Sequence, residues 1–429
     1  MLKYPIPALH FAPSMDIDWS SPPSDLIRFR ENSRPAELLE QPYFIAQTGK
    51  KTLAFIADPV AAYEILVTRT NAFPKSIVQQ RLGNQAFGPG LSGTLGQQNE
   101  RQRDAFKTLV SARQAQLVKE VSIDATADAI SRWLEQGSID LYREMSELAL
   151  QITWATLFGN NHYEGRDMAV KETIDALHKV DKSDFVASAK VVARLTQHFM
   201  ESGRWQRLTD DNPLRAIANE AGWAPSPGLS QQEVKANALV FAASGHTTTG
   251  ITMAWSAWLL GLHPELQQQL ATGIRLRPDG EYERRTVRNL INESLRLFPP
   301  GPEVMRDAKE PITIRGTEIP AGSMLMVSIY FLHRHKTLWE NPDLFDPERF
   351  SPDRAQAITK GSFLPFSGGD YGCSGMSIAF AEMTSVLSQL LSKVQLDVDP
   401  ADAQKLMLET GICLYPKSEL RCKISLRGE

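Results

Sequence analysis

From Ser230 to Leu262 the chain runs without an interior proline, and His263-Pro264 ends the run. Proline inside a helix removes a hydrogen bond and clashes with the preceding turn, so its absence licenses one continuous helix of about nine turns. A helix of that length in a globular protein crosses the whole of it, and the other elements must be arranged about it. Its middle reads Ala243-Ser244-Gly245-His246-Thr247-Thr248-Thr249. Gly245 and the β-branched threonines weaken the helix there, and hydroxyls that bond back to preceding carbonyls can bend it. Taken alone, this is a helix with polar core residues.

The 429 residues are 42% apolar, enough for a large core and unlike a disordered chain. Length alone suits two or three domains. A net charge of −4 leaves no nucleic-acid footprint. The three cysteines, Cys373, Cys413 and Cys422, form neither a CxxC pair nor a secreted-type framework. The N-terminus has no basic stretch leading into an apolar one, and runs such as Met324 to Leu332 are too short to span a bilayer. The expectation is a soluble protein of the reducing cytoplasm, without a membrane anchor.

Residues 1–40 are rich in proline, serine and charge and read as an irregular arm, with one domain over 41–429. Tyr43 to Ile56 reads as a hairpin about Gly49-Lys50, and Asp58-Pro59 as the cap and first residue of a helix. Residues 74–98 look loop-like. Within them Gly88 to Gly93 satisfies GxGxxG, but no strand precedes it and no acidic residue follows at ribose-binding distance. Gln97 to Ala112 is predicted helical, as is most of 120–228, with breaks at Gly159, Gly203 and Pro213. Arg284 to Leu297 forms a helix stopped by Pro299-Pro300, with Glu293 and Arg296 on one face. Pro320-Ala321-Gly322 reads as a turn before a strand, Met324 to Tyr330. His333-x-His335 has no third ligand in its pattern, and so is a weak metal candidate. Leu406 to Leu426 reads as a terminal strand pair holding Cys413 and Cys422.

The strongest chemical signal is Phe366-Ser367-Gly368-Gly369-Asp370-Tyr371-Gly372-Cys373-Ser374-Gly375, followed at once by an apolar helix-forming segment. A cysteine before a helix start sits at the positive end of the macrodipole, which favours the thiolate. Gly369 and Gly372 are read as positive-φ positions that turn N–H groups toward the sulfur, Gly375 as a point of close approach, and Phe366 as its shield. A lone cysteine is more often an inert core residue. A shielded thiolate, however, is the axial ligand of a haem that splits O–O bonds.

The spacing Phe-x-x-Gly-x-x-x-Cys-x-Gly resembles the cysteine loop of the cytochrome P450 family. The basic helix, the threonine-bearing long helix, Glu-x-x-Arg and Pro-Glu-Arg-Phe occur in the family's order along nearly the whole chain. The resemblance implies a mostly α (α+β) fold, a helical bundle with small β-sheets around a buried haem b. It makes Cys373 the iron ligand and Thr248 the threonine that donates a hydrogen bond where oxygen is activated. Thr247 stands where the family has an acid, and His246 holds the variable position beside it. Arg103, Asn99, Arg306 and Tyr371 fall on propionate-binding positions. Asn99 replaces a usual His or Trp, and Tyr371 a usual Arg or His. Phe366, Gly369, Gly375, Ala243 and Ser244 fall against the cofactor. Glu293, Arg296 and Arg349 match a structural charge triad. Val180 to Gly203 corresponds to a substrate lid.

The function so implied is a monooxygenase that hydroxylates or epoxidises a small hydrophobic substrate in secondary metabolism. Electrons then come from a separate ferredoxin or flavodoxin with an NAD(P)H-dependent reductase, docking on Arg101, Lys107, Arg113 and Lys360, and the protein is a monomer. The altered acid position leaves oxidative coupling, desaturation or ring formation as an alternative. Retention of Thr248 argues against a haem protein that turns nothing over.

Overall fold

The computed structural model describes residues 4–5, 36–48, 51–158, 229–277, 280–410 and 413–428, with scattered helical positions between 172 and 194. Leaving aside the short pairs Tyr4–Pro5 with Leu344–Phe345 and Ile312–Ile314 with Thr317–Ile319, the strands in chain order are β1 (Tyr43–Thr48), β2 (Lys51–Ile56), β3 (Ser138–Asp140), β4 (Glu303–Asp307), β5 (Met324–Ser328), β6 (Val394–Asp397), β7 (Leu408–Thr410), β8 (Leu414–Pro416) and β9 (Arg421–Leu426). The principal helices are α1 (Pro59–Tyr63), α2 (Ile77–Phe87), α3 (Gly96–Ala105), α4 (Ala112–Gln136), α5 (Leu141–Phe158), α6 (Gln231–Leu262), α7 (Pro264–Leu276), α8 (Glu281–Leu297) and α9 (Met376–Lys393). Two compact units are built from these: Met1–Leu82, Asn292–Cys373 and Met407–Lys417 form the first, and the rest of the chain the second.

In the first unit β1-β2-β5-β4 make one sheet, with β2 and β5 parallel and the other pairs antiparallel. Asp58 caps α1 through its side chain, accepting from the Val60 and Ala61 N–H groups at 3.0 and 2.9 Å, as its position before Pro59 predicted. A π-helical turn, Glu64–Thr68, continues α1, and Ile56, Ile65, Leu66, Phe73, Leu325 and Val327 belong to the core beneath the sheet.

In the second unit Ser230 and Glu233 close a reciprocal capping box at the start of α6. The helix then runs unbroken to Leu262 and packs along α5. Two glycines set how close that packing is. A Cβ on Gly250 would lie 3.0 Å from the Ser146 Cα, and one on Gly245 would lie 3.1 Å from the Thr153 side chain. Gly245 therefore serves helix contact as well as weakening the helix. A small antiparallel sheet, β6-β9-β3, also belongs to this unit.

Three expectations are corrected. Residues 77–87 are helix α2 rather than loop, and Gly83 inside it allows close packing, since a Cβ there would lie 2.7 Å from Ser92 Oγ. The strand predicted over Met324 to Tyr330 ends at Ser328, and Ile329–Leu332 turns into a helix. Leu406 to Leu426 is not one strand pair: β7 and β8 pair with each other, whereas β9 joins β6 and β3. The GxGxxG segment leaves helix α2, not a strand, as a dinucleotide turn would. The lid expected over Val180 to Gly203 and the breaks at Gly159, Gly203 and Pro213 lie largely or wholly outside the described residues, as does most of the N-terminal arm.

Glu293 is the hub of a buried charge cluster in the first unit. Its carboxylate accepts from Arg296 Nε at 2.7 Å and Nη2 at 2.8 Å, from the Asp346 N–H at 2.9 Å and from Arg349 Nε at 3.3 Å. The Glu293 and Arg296 side chains are 0% exposed and that of Arg349 is 6% exposed. Removing one partner leaves a buried charge uncompensated, which typically costs about 3–5 kcal/mol. Arg296→Ala is expected to lower unfolding free energy by about that amount in denaturant titration. Arg349→Ala, whose bond to Glu293 is longer, is expected to lower it by less.

Candidate active site

The cysteine loop is shaped by close approach to α1's π-helical continuation. Gly369 takes φ +59°, the left-handed region, and a Cβ on it would lie 2.6 Å from Thr70 Cγ2 and 2.8 Å from the Leu66 and Val67 carbonyl oxygens. A Cβ on Gly368 would lie 2.6 Å from Val67 Cγ2. Gly372, expected at positive φ, has φ −63°; its missing side chain lets the loop fold onto its own Gly368 backbone instead. The Cys373 N–H donates to Phe366 O at 2.9 Å, closing the loop, and the Thr70 hydroxyl donates to Asp370. Cys373 is exposed, whereas Cys413 and Cys422 are buried. Burial pushes the Cys422 thiol up to about 12, which makes it inert.

His333 ties the segment leading into this loop to α8. Its Nδ1 lies 3.3 Å from Leu295 O, and its Nε2 accepts the Leu364 N–H at 2.9 Å. Burial holds the ring neutral, with its pKa lowered to about 3. The His333-x-His335 pair is thus used for hydrogen bonding, and no cluster of metal-ligating side chains occurs among the described residues.

In the second unit the threonines of α6 all bond back along the helix. Thr247 Oγ1 donates to Ala243 O at 3.0 Å and Thr248 Oγ1 to Ser244 O at 2.9 Å. Ala243 is buried and Ser244 exposed. His246 is buried, with Nδ1 3.1 Å from Ala242 O and Nε2 3.2 Å from Thr247 Oγ1. A carbonyl facing Nδ1 fixes the proton there and leaves Nε2 as an acceptor. Burial lowers the pKa of this ring to about 4. His246 therefore points at the hydroxyl of Thr247, the position that lacks the acid.

Glu382, on α9, carries no local pattern that marks it in the sequence. It is 2% exposed, and the Thr249 hydroxyl stands within donating distance of both Gly245 O (2.5 Å) and Glu382 Oε1 (3.2 Å). Burial raises the pKa of this carboxyl to about 8, so it keeps its proton at neutral pH.

Arg103, on α3, donates from Nη1 to Ser374 Oγ at 2.9 Å and from Nε to Asn99 Oδ1 at 3.0 Å. The Asn99 amide nitrogen donates to Leu91 O and to Thr94, so Asn99 orients Arg103 and braces the 91–94 loop. In the first unit Arg306, on β4, is 1% exposed and sits over the Tyr371 ring, with Nε buried and without a hydrogen-bond partner. A buried guanidinium in want of an acceptor fits a cofactor with carboxylate groups, and an exposed cysteine in a rigid loop fits an iron ligand. The residues present suit haem.

A sequence model of the family described as Cytochrome P450 matches residues 37–423. The chain belongs to the cytochrome P450 family. The P450 fold, mostly helical with small sheets, and the haem cofactor follow from that membership. Among similar P450 proteins, the cyclooctat-9-en-7-ol 5-monooxygenase of Streptomyces melanosporofaciens is 28% identical over 345 residues, covering 73% of this chain and 73% of that one. Cytochrome P450 4B1 of Rattus norvegicus is 34% identical over 204 residues, 44% of this chain and 40% of its own length. The taurochenodeoxycholic 6 alpha-hydroxylase of Sus scrofa is 37% identical over 182 residues, 40% and 36% respectively. The chain thus spans about two fifths of the length of these animal relatives. Among the described residues no helix is long and apolar enough to cross a membrane.

The Glu382 carboxyl gives a pH test. It ionises near 4.5 in the unfolded chain and only at about 8 in the folded one. Between those values the unfolded state binds fewer protons, so this group's stabilisation falls as pH rises through the window and is constant above it. Glu382→Gln removes the slope. Its unfolding free energy relative to the wild type should rise from pH 4.5 to pH 8 by an amount on the order of a few kcal/mol, at about 1.4 kcal/mol for each pH step of one, read by urea titration at several pH values.

Proposed function

We propose that this P450 is a haem-thiolate monooxygenase acting on a small hydrophobic substrate. The observation that carries the reading is the exposed Cys373 in its clamped glycine loop, in a chain matched by the family over residues 37–423. Haem supplies the oxidising chemistry when bound. Cys373 would ligate its iron as thiolate, and Arg103 and Arg306 would hold its carboxylates. Thr248, whose hydroxyl rests on Ser244 O, would donate a hydrogen bond where the cofactor activates oxygen. Thr247 and His246 stand behind it in place of the usual acid–threonine pair. Since Nε2 of His246 accepts, it can take the Thr247 hydroxyl's hydrogen bond in place of Ala243 O.

Electrons come from a ferredoxin or flavodoxin with its NAD(P)H-dependent reductase. Lys107, Arg113 and Lys360 remain the candidate docking cations, while Arg101 is committed to Glu233 at 2.5 Å. The protein works in the cytoplasm as a monomer with one haem-binding domain, in secondary metabolism. Two relatives bear names for oxygen insertion, a monooxygenase and a hydroxylase, which favours insertion over coupling, desaturation or ring formation. Isotopically labelled dioxygen separates the two: label in the product is expected.

Cys373→Ala should abolish the carbon monoxide band of a thiolate-ligated haem, while Cys413→Ala and Cys422→Ala keep it. Loss of the band only in one of the latter would overturn the ligand assignment. General acid–base assistance is typically worth about 10²–10⁴-fold. Thr248→Ala should therefore raise the share of electrons lost as hydrogen peroxide, and Thr247→Asp should change product formed per NAD(P)H consumed. If neither ratio moves, the threonine run is not the proton route.

A further inference from the structure

The Gly88 to Gly93 segment, which imitates a dinucleotide turn in sequence, is seated within the second unit by three buried amide side chains. Asn237 on α6 is 0% exposed, and Gln102 and Asn99 on α3 are 0% and 1% exposed. Asn237 Oδ1 accepts the Leu91 N–H at 2.7 Å. Gln102 Nε2 donates to Pro89 O at 2.7 Å, and its Oε1 accepts from the Thr94 hydroxyl at 3.1 Å. Asn99 Nδ2 donates to Leu91 O at 3.3 Å and to Thr94 O at 3.1 Å. The seat is close as well as polar. A Cβ on Gly90 would lie 3.2 Å from Val240 Cγ2 and 3.3 Å from Ala236 O, and one on Gly83 would lie 2.9 Å from Gly93 N.

A connecting loop ordinarily leaves much of its backbone to water. Here buried side chains meet it, and each of them also reaches the helix framework. Asn237 Nδ2 donates to Glu233 O at 2.9 Å, and Gln102 Nε2 to Glu233 Oε1 at 3.1 Å. Lifting the loop strands the atoms that face it, and a buried polar group without a partner typically costs about 1–3 kcal/mol. The far end of Asn99 is turned to a charge: its Oδ1 accepts from Arg103 Nε at 3.0 Å. The two ends of an amide are nearly alike in shape, so its partners decide which end points where. The carbonyls of Leu91 and Thr94 hold the nitrogen toward the loop and thereby the oxygen toward Arg103. Turned over, Asn99 would set a donor against the Arg103 donor.

We propose that the 89–94 loop is a switch on Arg103. Seated, its carbonyls orient the Asn99 amide so that Oδ1 fixes the guanidinium. Unseated, the amide is free to turn, and Arg103 loses this acceptor at Nε. Seating of the loop is thus coupled to the hold of Arg103 on a carboxylate of the haem, with Asn99 as the positioning residue between them. This rests on the reading above that Arg103 holds such a carboxylate.

Hydrogen exchange of the peptide spanning 88–95, together with transfer of haem from the holoprotein to excess apomyoglobin, tests this without turnover. Asn237→Ala removes the acceptor of the Leu91 N–H and leaves Asn99 and Arg103 in place. It should speed exchange of the loop amides about tenfold or more, and haem release about tenfold. Gly83→Ala unseats the loop from the α2 side and should do both as well, which keeps the test open if Asn237→Ala does not fold. With Asn99→Ala in place haem release is already fast, and adding either substitution should speed loop exchange without speeding release further. With the haem carboxylates esterified, wild type and the loop variants should release the cofactor at the same rate. Faster loop exchange with unchanged release of native haem overturns the proposal. So does a further rise in release on top of Asn99→Ala, a gap that persists with the ester, or loop exchange that neither variant alters. The carbon monoxide band is recorded throughout. Its absence from the wild type overturns the haem-thiolate reading and this proposal with it, whereas uncoupled exchange and release with the band present overturn only the switch.

Discussion

One carboxylate organises much of the first unit. Glu293 faces two guanidiniums, so the cluster it makes with Arg296 and Arg349 carries an excess positive charge out of reach of water. The chain disposes of that excess through backbone carbonyls. Arg296 also donates to His333 O, Pro342 O and Leu344 O, and Arg349 to Glu340 O and Asn341 O. The irregular stretch from 333 to 350 is therefore wound about two arginines, and its backbone is their second ligand set. The same turn of α8 that supplies the triad also supplies Leu295 O to His333, whose other nitrogen receives Leu364 just before the cysteine loop. This network of charges and carbonyls thus fixes the approach to the Cys373 loop.

Arg306 is the counter-example in the same unit. Arg296 and Arg306 are about equally buried, but the first has its donors satisfied by the chain and the second does not. A fully met charge is structural; an unmet one indicates something the chain expects to bind. Glu382 and His246 belong to a third kind: burial keeps both neutral at neutral pH, so each can stand in the interior without a counter-ion.

The sequence was legible where the determinant is local. Proline spacing and the Ser230–Glu233 box delimit α6, Asp58-Pro59 starts α1, and the cysteine loop and the Glu293–Arg296 pair lie within short windows. It was opaque where contact is made across long separations. Helix α2 was hidden because its glycine and glutamines weaken the pattern, although Gly83 is there for packing against Ser92. The division of the C-terminal strands between two sheets depends on partners that local pattern does not name: β3, far back in the chain, and β6 for one, and the β7–β8 pairing for the other. Glu382 carries no motif; it gains its meaning from a hydroxyl that the fold brings to it.

Along α6, the hydroxyls of Thr247, Thr248, Thr249, Thr252 and Ser256 each rest on the carbonyl four residues back. Those carbonyls already serve the helix's own N–H groups, so the hydroxyl proton is a guest there. It can be swung away by rotation about one side-chain bond while the backbone ladder stays intact. The longest helix among the described residues therefore also carries a file of side-chain hydroxyls whose protons are not committed to its backbone ladder.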